Sequence, residues 1–391
     1  MGLLDNLKPL SAGQEEMLKA LKDKSIEIIG IFGPSGSGKS LFSITYGIDS
    51  VLNKDFRRFL IVKPLVNVVS GADLSIEMNK NVYETLIMDY VNDILNTLQM
   101  DVNLQELVNK GLVQFVDLHY LKGRTFDNSL VFIDDIQNIP AESIIEVLIR
   151  IGNNSRLIVA GDPVFQRLKK VEKDPSSIIR EILLSEEKAK VVDLGLKDII
   201  RPGAKKGLRL LVELMLRSRN LGNEDKKIIE TILTHAPDAD IVTVMDASKL
   251  KNSLNIKGET CPEVIIFTKT AGRLIGKGGE RIQKIENSLG KKTRTIIFSL
   301  DFKEWIRAIH PIPWIHKHIS IVDFAGPRLR VKINKEEAGA FLGYGGSYVR
   351  FVNQIFEELL GIMVEVEQVE MKEEKREEVE KKKVEEKKKK K

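Results

Sequence analysis

The most informative segment of the sequence is Gly33-Pro34-Ser35-Gly36-Ser37-Gly38-Lys39-Ser40, which directly follows the apolar run Ile26–Phe32. It matches G-x-x-x-x-G-K-[ST] at every defined position. Glycines let the backbone wrap around a phosphate with its N–H groups pointing inward, and a following helix adds the positive end of its dipole. The sequence therefore predicts a strand–loop–helix nucleotide site in which Lys39 reaches the β- and γ-phosphates and Ser40 binds Mg²⁺.

Strand-like and helix-like stretches alternate over the first ~235 residues. Short apolar runs predict buried parallel strands at 26–32, 59–62, 113–116, 130–133 and 157–160. Helical spacing appears between them, and again at 205–218 and 223–234. The pattern predicts the α/β class, with a P-loop (RecA/helicase-like) parallel-sheet domain.

An acidic pair supplies the second half of such a site. Asp134 and Asp135 end the apolar run 130–133. We expect Asp134 to complete the Mg²⁺ shell and Asp135 to polarise the attacking water. The guanine-reading N-K-x-D pattern is not matched, because Asn53-Lys54-Asp55 has the wrong spacing and directly follows the P-loop helix. The predicted cofactors are ATP and Mg²⁺.

An internal repeat occupies the second half of the chain. The segment 271–279 aligns with 338–346, and in each copy a strand-like run precedes a glycine loop that a helix and a strand-like run follow. This β–α–GxxG–α–β frame is that of KH modules, which clamp single-stranded RNA. The residues predicted to bind RNA are Gly276, Lys277, Gly278, Gly279, Arg281 and Lys284 in the first copy, and Gly343, Tyr344, Gly345 and Gly346 in the second.

The two loops differ at their second position. The first has Lys277, which adds positive charge, whereas the second has Tyr344 with Arg350 as the nearby base. Tyr344 can stack on a nucleobase. The second copy can equally be a packing module whose glycines serve only the turn, and the sequence leaves these two readings open.

Several motifs around the acidic pair resemble the PhoH-like ATPases. The chain has Gly123-Arg124-Thr125, Ile133-Asp134-Asp135-Ile136-Gln137-Asn138, Arg150-Ile151-Gly152 and Gly161-Asp162-Pro163-Val164-Phe165-Gln166, where the family reads roughly G-R-T, I-x-D-E-A-Q-N, R-I-G and G-D-x-x-Q. The family is related to superfamily-one helicase motors.

The resemblance implies further site residues. It implies that Gln14 recognises adenine and that Gln166 senses the γ-phosphate. Arg201, in Asp198-Ile199-Ile200-Arg201, is a candidate arginine finger, although a surface arginine capping a helix is an equal alternative. Where the family usually has Glu, this chain has the shorter Asp135, so we expect slow basal hydrolysis.

The tandem repeat, from about 262 to 369, resembles the KH pair of NusA, particularly the archaeal form, on Ile275-Gly276-Lys277-Gly278-Gly279-Glu280 and Ser299-Leu300-Asp301-Phe302. The predicted organisation is an ATPase domain at 1–236, a linker at 237–261, KH modules at 262–315 and 316–370, and a disordered Lys/Glu-rich tail at 371–391.

Composition narrows the setting of the protein. The net charge is +5, and the chain has one cysteine, Cys261, which suits a reducing compartment. We see neither a signal peptide nor a membrane-length apolar run, so the expected location is the cytoplasm, with no membrane partner.

Two functions remain open on these observations. In the first, ATP hydrolysis drives RNA unwinding or remodelling, in RNA maturation or in ribosome or translation-related work. In the second, ATP switches the RNA affinity of an assembly factor that has no helicase activity. About 60 residues separate Arg201 from the KH region, too few for a second motor lobe, so unwinding would require a homo-oligomer such as a ring.

Overall fold

The computed structural model describes residues 2–66, 74, 80–98, 102–117, 125–166 and 174–370. These residues form two compact units. One consists of the residues up to 206 together with 324–327, and the other of 207–323 and the residues from 328. Two sequence predictions, the Gly123-Arg124 part of the resemblance and the charged tail 371–391, lie outside the described residues.

The first unit is built around a parallel sheet. Its described strands are β1 (Ile28–Phe32), β2 (Arg58–Val62), β3 (Val113–Phe115), β4 (Ser129–Ile133), β5 (Arg156–Gly161) and β6 (Ala189–Asp193). They lie in the order β3-β2-β4-β5-β1-β6, and each neighbouring pair is parallel. The predicted α/β fold class is confirmed, and the five predicted strands are present with slightly different ends.

Helices cover this sheet. They are α1 (Ala12–Lys22), α2 (Lys39–Leu52), α3 (Lys80–Thr97), α4 (Leu104–Asn109), α5 (Ala141–Leu148) and α6 (Pro175–Leu184). The next helix in the chain is α7 (Pro202–Arg217), which contains the boundary between the two units. Alternate residues of β4 enter different cores: Leu130 packs in the cluster of Ile48 from α2, and Val131 in that of Ile179 from α6. Burial on both faces explains why the strands read as continuous apolar runs.

Polar residues gather at the carboxyl edge of this sheet. Lys63 follows β2, Asp134 follows β4, Asp162 follows β5, and the loop 33–38 follows β1. Since all these strands are parallel, their carboxyl ends meet at one edge, which is where ligands of open α/β sheets bind.

The rest of the chain forms two modules with the same order of main elements. The first contains α8 (Asn223–His235), β7 (Ile241–Asp246), α9 (Ser248–Ser253), β8 (Val264–Thr268), α10 (Ala271–Ile275), α11 (Glu280–Leu289) and β9 (Thr293–Ile297). The second contains α12 (Phe302–Ile309), β10 (Ile319–Ala325), β11 (Arg328–Asn334), α13 (Ala338–Leu342), α14 (Ser347–Leu360) and β12 (Met363–Val369). The sheets have the orders β7-β8-β9 and β10-β11-β12, and β8/β9 and β11/β12 are parallel.

An aromatic cluster around Trp305 joins the two modules. Trp305, on α12, is fully buried, and its ring centroid lies 4.6 Å from that of Phe267 on β8 and 6.0 Å from that of Phe356 on α14. Its indole N–H donates to the Ser299 carbonyl at 3.0 Å. Because rings from both modules share this core, the modules pack as one body.

The module boundaries differ from the prediction. The stretch 237–261, predicted as a linker, contains β7 and α9, and β7 pairs antiparallel with β8. Helix α8, predicted to close the first domain, packs Ile228 and Ile232 against Val244 and Val264. The first module therefore starts at α8, because this helix buries its apolar face on the sheet that follows it.

None of the helices in the described part of the chain combines the length and the apolarity needed to cross a membrane.

Candidate nucleotide site and glycine loops

The phosphate loop follows β1 and turns through backbone conformations that need glycine. Gly36 and Gly38 have φ of 82° and 96°. A Cβ on Gly36 would lie 2.4 Å from the Cβ of Ala204. The predicted phosphate-binding residues Gly33, Pro34, Ser35, Gly36, Ser37, Gly38, Lys39 and Ser40 thus form one turn between β1 and the first turn of α2.

Lys39 lies inside this loop. Its side chain is buried, and Nζ donates to the carbonyls of Gly33 at 2.7 Å and Pro34 at 3.0 Å. Burial lowers the pKa of Lys39, and the carboxylates nearby, Asp162 first, oppose this shift. Its ammonium therefore lies inside the turn that would surround a phosphate.

Gln14 lies against the same loop. Ser11 caps α1 by accepting from the Gln14 backbone N–H at 3.2 Å. The buried Gln14 side chain donates from Nε2 to the Ser37 carbonyl at 3.0 Å and accepts from the Leu10 N–H at 2.9 Å. Gln14 therefore connects α1 to the phosphate loop, and its recognition of adenine stays a prediction.

The residues predicted to bind magnesium are in contact. The Ser40 hydroxyl donates to Asp134 Oδ2 at 2.9 Å, and Asp134 is fully buried at the end of β4. A hydroxyl and a carboxylate oxygen beside a phosphate loop are hard oxygen ligands of the kind that Mg²⁺ takes together with nucleotide phosphates. The donor set of this chain therefore fits Mg²⁺.

Lys63 and Tyr90 also contact Asp134. Lys63 Nζ lies 3.1 Å from Asp134 Oδ2 and 2.5 Å from Asp135 Oδ2, and the Tyr90 hydroxyl donates to Asp134 Oδ2 at 2.5 Å. Burial opposes the charge on Lys63, but the two carboxylates outweigh it and raise the pKa of Lys63. Burial, and then the charge of Asp134, raise the pKa of Tyr90. Burial also opposes ionisation of Asp134, yet Lys63 keeps its pKa below the ordinary value.

Asp135 is held in the left-handed region, with φ 51° and ψ 44°. Its Oδ1 accepts from Gln137 Nε2 at 3.2 Å, and the same amide nitrogen donates to Gln166 Oε1 at 3.0 Å. The Gln137 oxygen accepts from the Asp162 N–H at 3.0 Å. Gln137 thus links the predicted water-polarising residue to the predicted γ-phosphate sensor.

Asp162 is a buried carboxylate at the end of β5. Its Oδ1 accepts from the backbone N–H groups of Val164 and Phe165, and Oδ2 has no hydrogen-bond partner among the residues that the structure describes. Burial raises its pKa, and Lys39 opposes that shift.

Arg201 lies next to the phosphate loop of its own chain. The Ile200 N–H donates to the Gly36 carbonyl at 3.2 Å, and the Arg201 Cβ lies 3.6 Å from where a Cβ on Gly36 would stand. The residue is exposed and precedes α7. Its position suits an arginine that meets a phosphate, and the arginine-finger role stays a prediction.

The two glycine loops have the same backbone conformation. Gly276 and Gly343 have φ of 74° and 71°, Gly278 and Gly345 of 63° and 55°, and Gly279 and Gly346 of 83° and 75°. Non-glycine residues rarely adopt these angles, so the glycines are required by the turn in both modules.

The side chains around these loops differ in availability. Lys277 and Lys284 are exposed, and Tyr344 is 98% exposed. Arg281, predicted to bind RNA, pairs with Asp238 at 2.5 Å and donates to the Arg273 carbonyl at 2.7 Å. Lys277, Lys284 and Tyr344 are therefore the candidate side chains that solvent reaches most directly.

Sequence reasoning missed Lys63, Tyr90, Gln137 and Asp162 as members of the site. Lys63 directly follows the predicted strand at 59–62, and Asp162 lies two residues after the one at 157–160, so a polar residue at the end of a strand, the signal that found Asp134, also marks these two. Tyr90 had no such signal, because it approaches from the middle of α3.

The fold and this site define a P-loop nucleotide-binding protein. Residues 6–213, more than half of the chain, match the PhoH-like protein family, and the chain belongs to that family. Residues 241–298 match the KH domain, which covers β7 to β9 of the first module. The finer resemblance of both modules together to NusA stays a prediction.

Similar proteins carry the same family name. A PhoH-like protein of Bacillus subtilis is 24% identical over 201 residues, covering 50% of this chain and 60% of that protein. Protein PhoH2 of Mycolicibacterium smegmatis is 28% identical over 157 residues, covering 40% and 36%. The matched region thus spans only about a third to three-fifths of these relatives.

Among solved structures, the Sulfolobus solfataricus SWI2/SNF2 ATPase core in complex with dsDNA has a TM-score of 0.30 at 12% identity, covering 79% of this chain and 76% of that one. The Pif1 helicase of Candida albicans has a TM-score of 0.25 at 12% identity, covering 67% and 64%. These scores are too low to support a functional comparison.

Proposed function

We propose that this protein is an RNA-binding ATPase that couples hydrolysis of ATP to the unwinding or remodelling of RNA. The observation that carries the proposal is one chain with both a phosphate loop facing Asp134 and a KH domain with an exposed Lys277 loop. Single-stranded RNA is the proposed ligand of the glycine loops, because a KH module grips about four nucleotides of unpaired strand.

In the proposed reaction, backbone N–H groups of the phosphate loop and Lys39 bind the triphosphate. Ser40 and Asp134 would hold Mg²⁺, which supplies positive charge against the phosphate oxygens during transfer. Asp135, oriented by Gln137, polarises the attacking water, while Gln166 reports on the γ-phosphate through the same amide. Arg201 is proposed to stabilise negative charge in the transition state, either at its own site or at that of a neighbour.

A second candidate function is an ATP-switched RNA-binding assembly factor without helicase activity. Within the described residues there is a single P-loop sheet, and the remainder forms the two modules. A monomeric helicase needs two motor lobes around its nucleotide. Unwinding is therefore proposed only for a homo-oligomer, such as a ring, and a chain that stays monomeric with ATP and RNA would favour the switch.

The test measures phosphate release with and without a single-stranded RNA oligonucleotide. Lys39→Ala should abolish release and leave RNA binding within about twofold of wild type, because its side chain is confined to the phosphate loop. The double variant Lys277→Asp, Gly278→Asp should weaken RNA binding and abolish RNA stimulation while basal turnover remains. The matched variant Tyr344→Asp, Gly345→Asp places the same charges in the second loop.

The proposal is overturned if Mg²⁺-ATP does not bind to the wild-type chain. It is also overturned if both loop variants still bind RNA as the wild type does. Displacement of a labelled strand from a partial RNA duplex, measured alongside sedimentation, separates the two candidates. Unwinding by an oligomer supports the first function, and an ATP-dependent change in RNA affinity without strand displacement supports the second.

A further inference from the structure

The carboxylates beside the phosphate loop already carry a cation supplied by the chain itself. Lys63 Nζ bridges Asp134 Oδ2 and Asp135 Oδ2, and its side chain is only 14% exposed. Asp134 Oδ2 also accepts from Ser40 and Tyr90, and Asp134 Oδ1 accepts from the Asp135 N–H at 3.0 Å. Both oxygens of the buried carboxylate are therefore occupied by donors of this chain.

The position of Lys63 is built by three elements. Val62, the last residue of β2, accepts a hydrogen bond from the Asp134 N–H at 2.9 Å, which places Lys63 beside Asp134. Helix α3 presents two tyrosines seven residues apart, and so on one face. The Tyr83 hydroxyl lies 3.1 Å from the Lys63 carbonyl, and Lys63 Nζ lies 4.2 Å from the centre of the Tyr90 ring. Lys63 is thus held by backbone, ring and carboxylates together.

This arrangement has an electrostatic purpose beyond packing. Two adjacent carboxylates, one of them fully buried, repel each other and are costly to desolvate unless a cation lies between them. The Ser40–Asp134 pair is also where the proposed function puts Mg²⁺. An ammonium already bonded to both carboxylates competes with a metal ion for their charge and for the lone pairs of Asp134.

We propose that Lys63 is a built-in counter-ion that occupies the carboxylates of the magnesium site in the nucleotide-free protein and must yield Asp134 when the metal enters. It is a positioning residue, because it acts through Asp134 and Asp135. The inference rests on the proposed nucleotide site and adds a competition to it: the nucleotide-free protein should bind divalent cations weakly, and the phosphates should be needed to recruit the metal.

The test uses Mn²⁺ as the probe, because it takes hard oxygen ligands as Mg²⁺ does and is visible by electron paramagnetic resonance. Mn²⁺ binding is titrated on the nucleotide-free full chain. Lys63→Met keeps a long apolar side chain and removes the charge, and it should bind Mn²⁺ at least about tenfold tighter than wild type. Lys63→Arg keeps the charge and should stay within about threefold of wild type.

Two further variants make the result interpretable. Adding Asp134→Asn to Lys63→Met should remove the gained Mn²⁺ affinity, which locates the ion at this carboxylate. Tyr90→Phe removes one donor from Asp134 and leaves Lys63, so it should tighten Mn²⁺ binding by a smaller factor, and it serves if Lys63→Met does not fold by circular dichroism.

The inference is overturned if Lys63→Met or Tyr90→Phe binds Mn²⁺ no tighter than wild type, or if the gain survives Asp134→Asn. The readout contains no nucleotide and no RNA. A failure of the ATPase proposal would appear as loss of nucleotide binding or turnover, and it is therefore distinguishable from a failure of the counter-ion inference.

Discussion

At the scale of single residues, Asp135 combines a chemical role with an unusual backbone. Its φ of 51° lies in the left-handed region, which Asp and Asn enter more readily than other side-chain residues. Asp135→Asn should therefore fold normally while losing the charge that polarises water. We expect kcat to fall by roughly 10²–10⁴-fold, with nucleotide affinity little changed, as measured by phosphate release and by binding of a fluorescent nucleotide.

The length of the same side chain is a separate variable. Asp135→Glu adds a methylene and moves the carboxylate by about 1 Å, and displacements of that size can change rates on the order of 10²-fold. Since wild-type basal turnover is expected to be slow, Asp135→Glu should raise it in steady-state assays. Fast turnover of the wild type without RNA would contradict the argument from side-chain length.

At the scale of elements, the glycines around the first KH loop differ in backbone conformation, so replacing them by alanine should have opposite effects on stability. Gly272 lies in α10 with open space around it, so Gly272→Ala should stabilise the protein by about 0.5–1 kcal/mol. Gly278 also has open space but a φ of 63°, so Gly278→Ala should cost roughly 1–2 kcal/mol. Urea unfolding checks both, and equal effects at the two positions would show that backbone conformation is not the cause.

Some of the strands and helices could be predicted from the sequence and others could not. The parallel strands were predictable because burial on both faces makes them continuous apolar runs, as in β4. Strand β6 was missed because four of its five residues are only partly buried, so it does not form a continuous apolar run as the predicted strands do. Helix α1 was missed as an element, although Gln14 within it was identified through resemblance.

The site was predictable only where a local pattern marks it. The phosphate loop is a continuous sequence motif, and Asp134 directly follows a continuous apolar run. The contacts among Lys63, Tyr90 and Asp134, in contrast, join three segments that are distant in the sequence. The boundary of the first module was predicted wrongly for a similar reason. Helix α8 has the pattern of an ordinary amphipathic helix, and that pattern does not show that the helix packs on the sheet that follows it in the sequence. Contacts between segments that are distant in the sequence produce no periodic hydrophobic pattern from which they could be predicted.

At the scale of the whole molecule, the tryptophans allow one unit to be followed separately. The chain has two, Trp305 and Trp314, and both lie in the second unit. The same unit contains the buried residue His310. Its Nε2 lies 3.0 Å from the Phe341 carbonyl oxygen, and its Nδ1 accepts a hydrogen bond from the Ile312 N–H. Tryptophan fluorescence therefore reports unfolding of the unit that contains this histidine.

His310 makes the stability of that unit depend on pH. Burial lowers the pKa of His310 below its ordinary value of 6.5, although carbonyl acceptors oppose the shift. The unfolded chain therefore takes up a proton at higher pH than the folded one, so this stability is fully present above about pH 6.5 and is lost as pH falls through the folded pKa. The urea midpoint from tryptophan fluorescence should be lower at pH 5.0 than at pH 7.5.

Two variants test whether His310 causes this difference. His310→Gln should reduce the difference, because the glutamine amide can still donate to the Phe341 carbonyl but cannot titrate. The control His316→Gln leaves His310 in place and should retain the difference. A pH response that is unchanged in His310→Gln would assign the effect to another group.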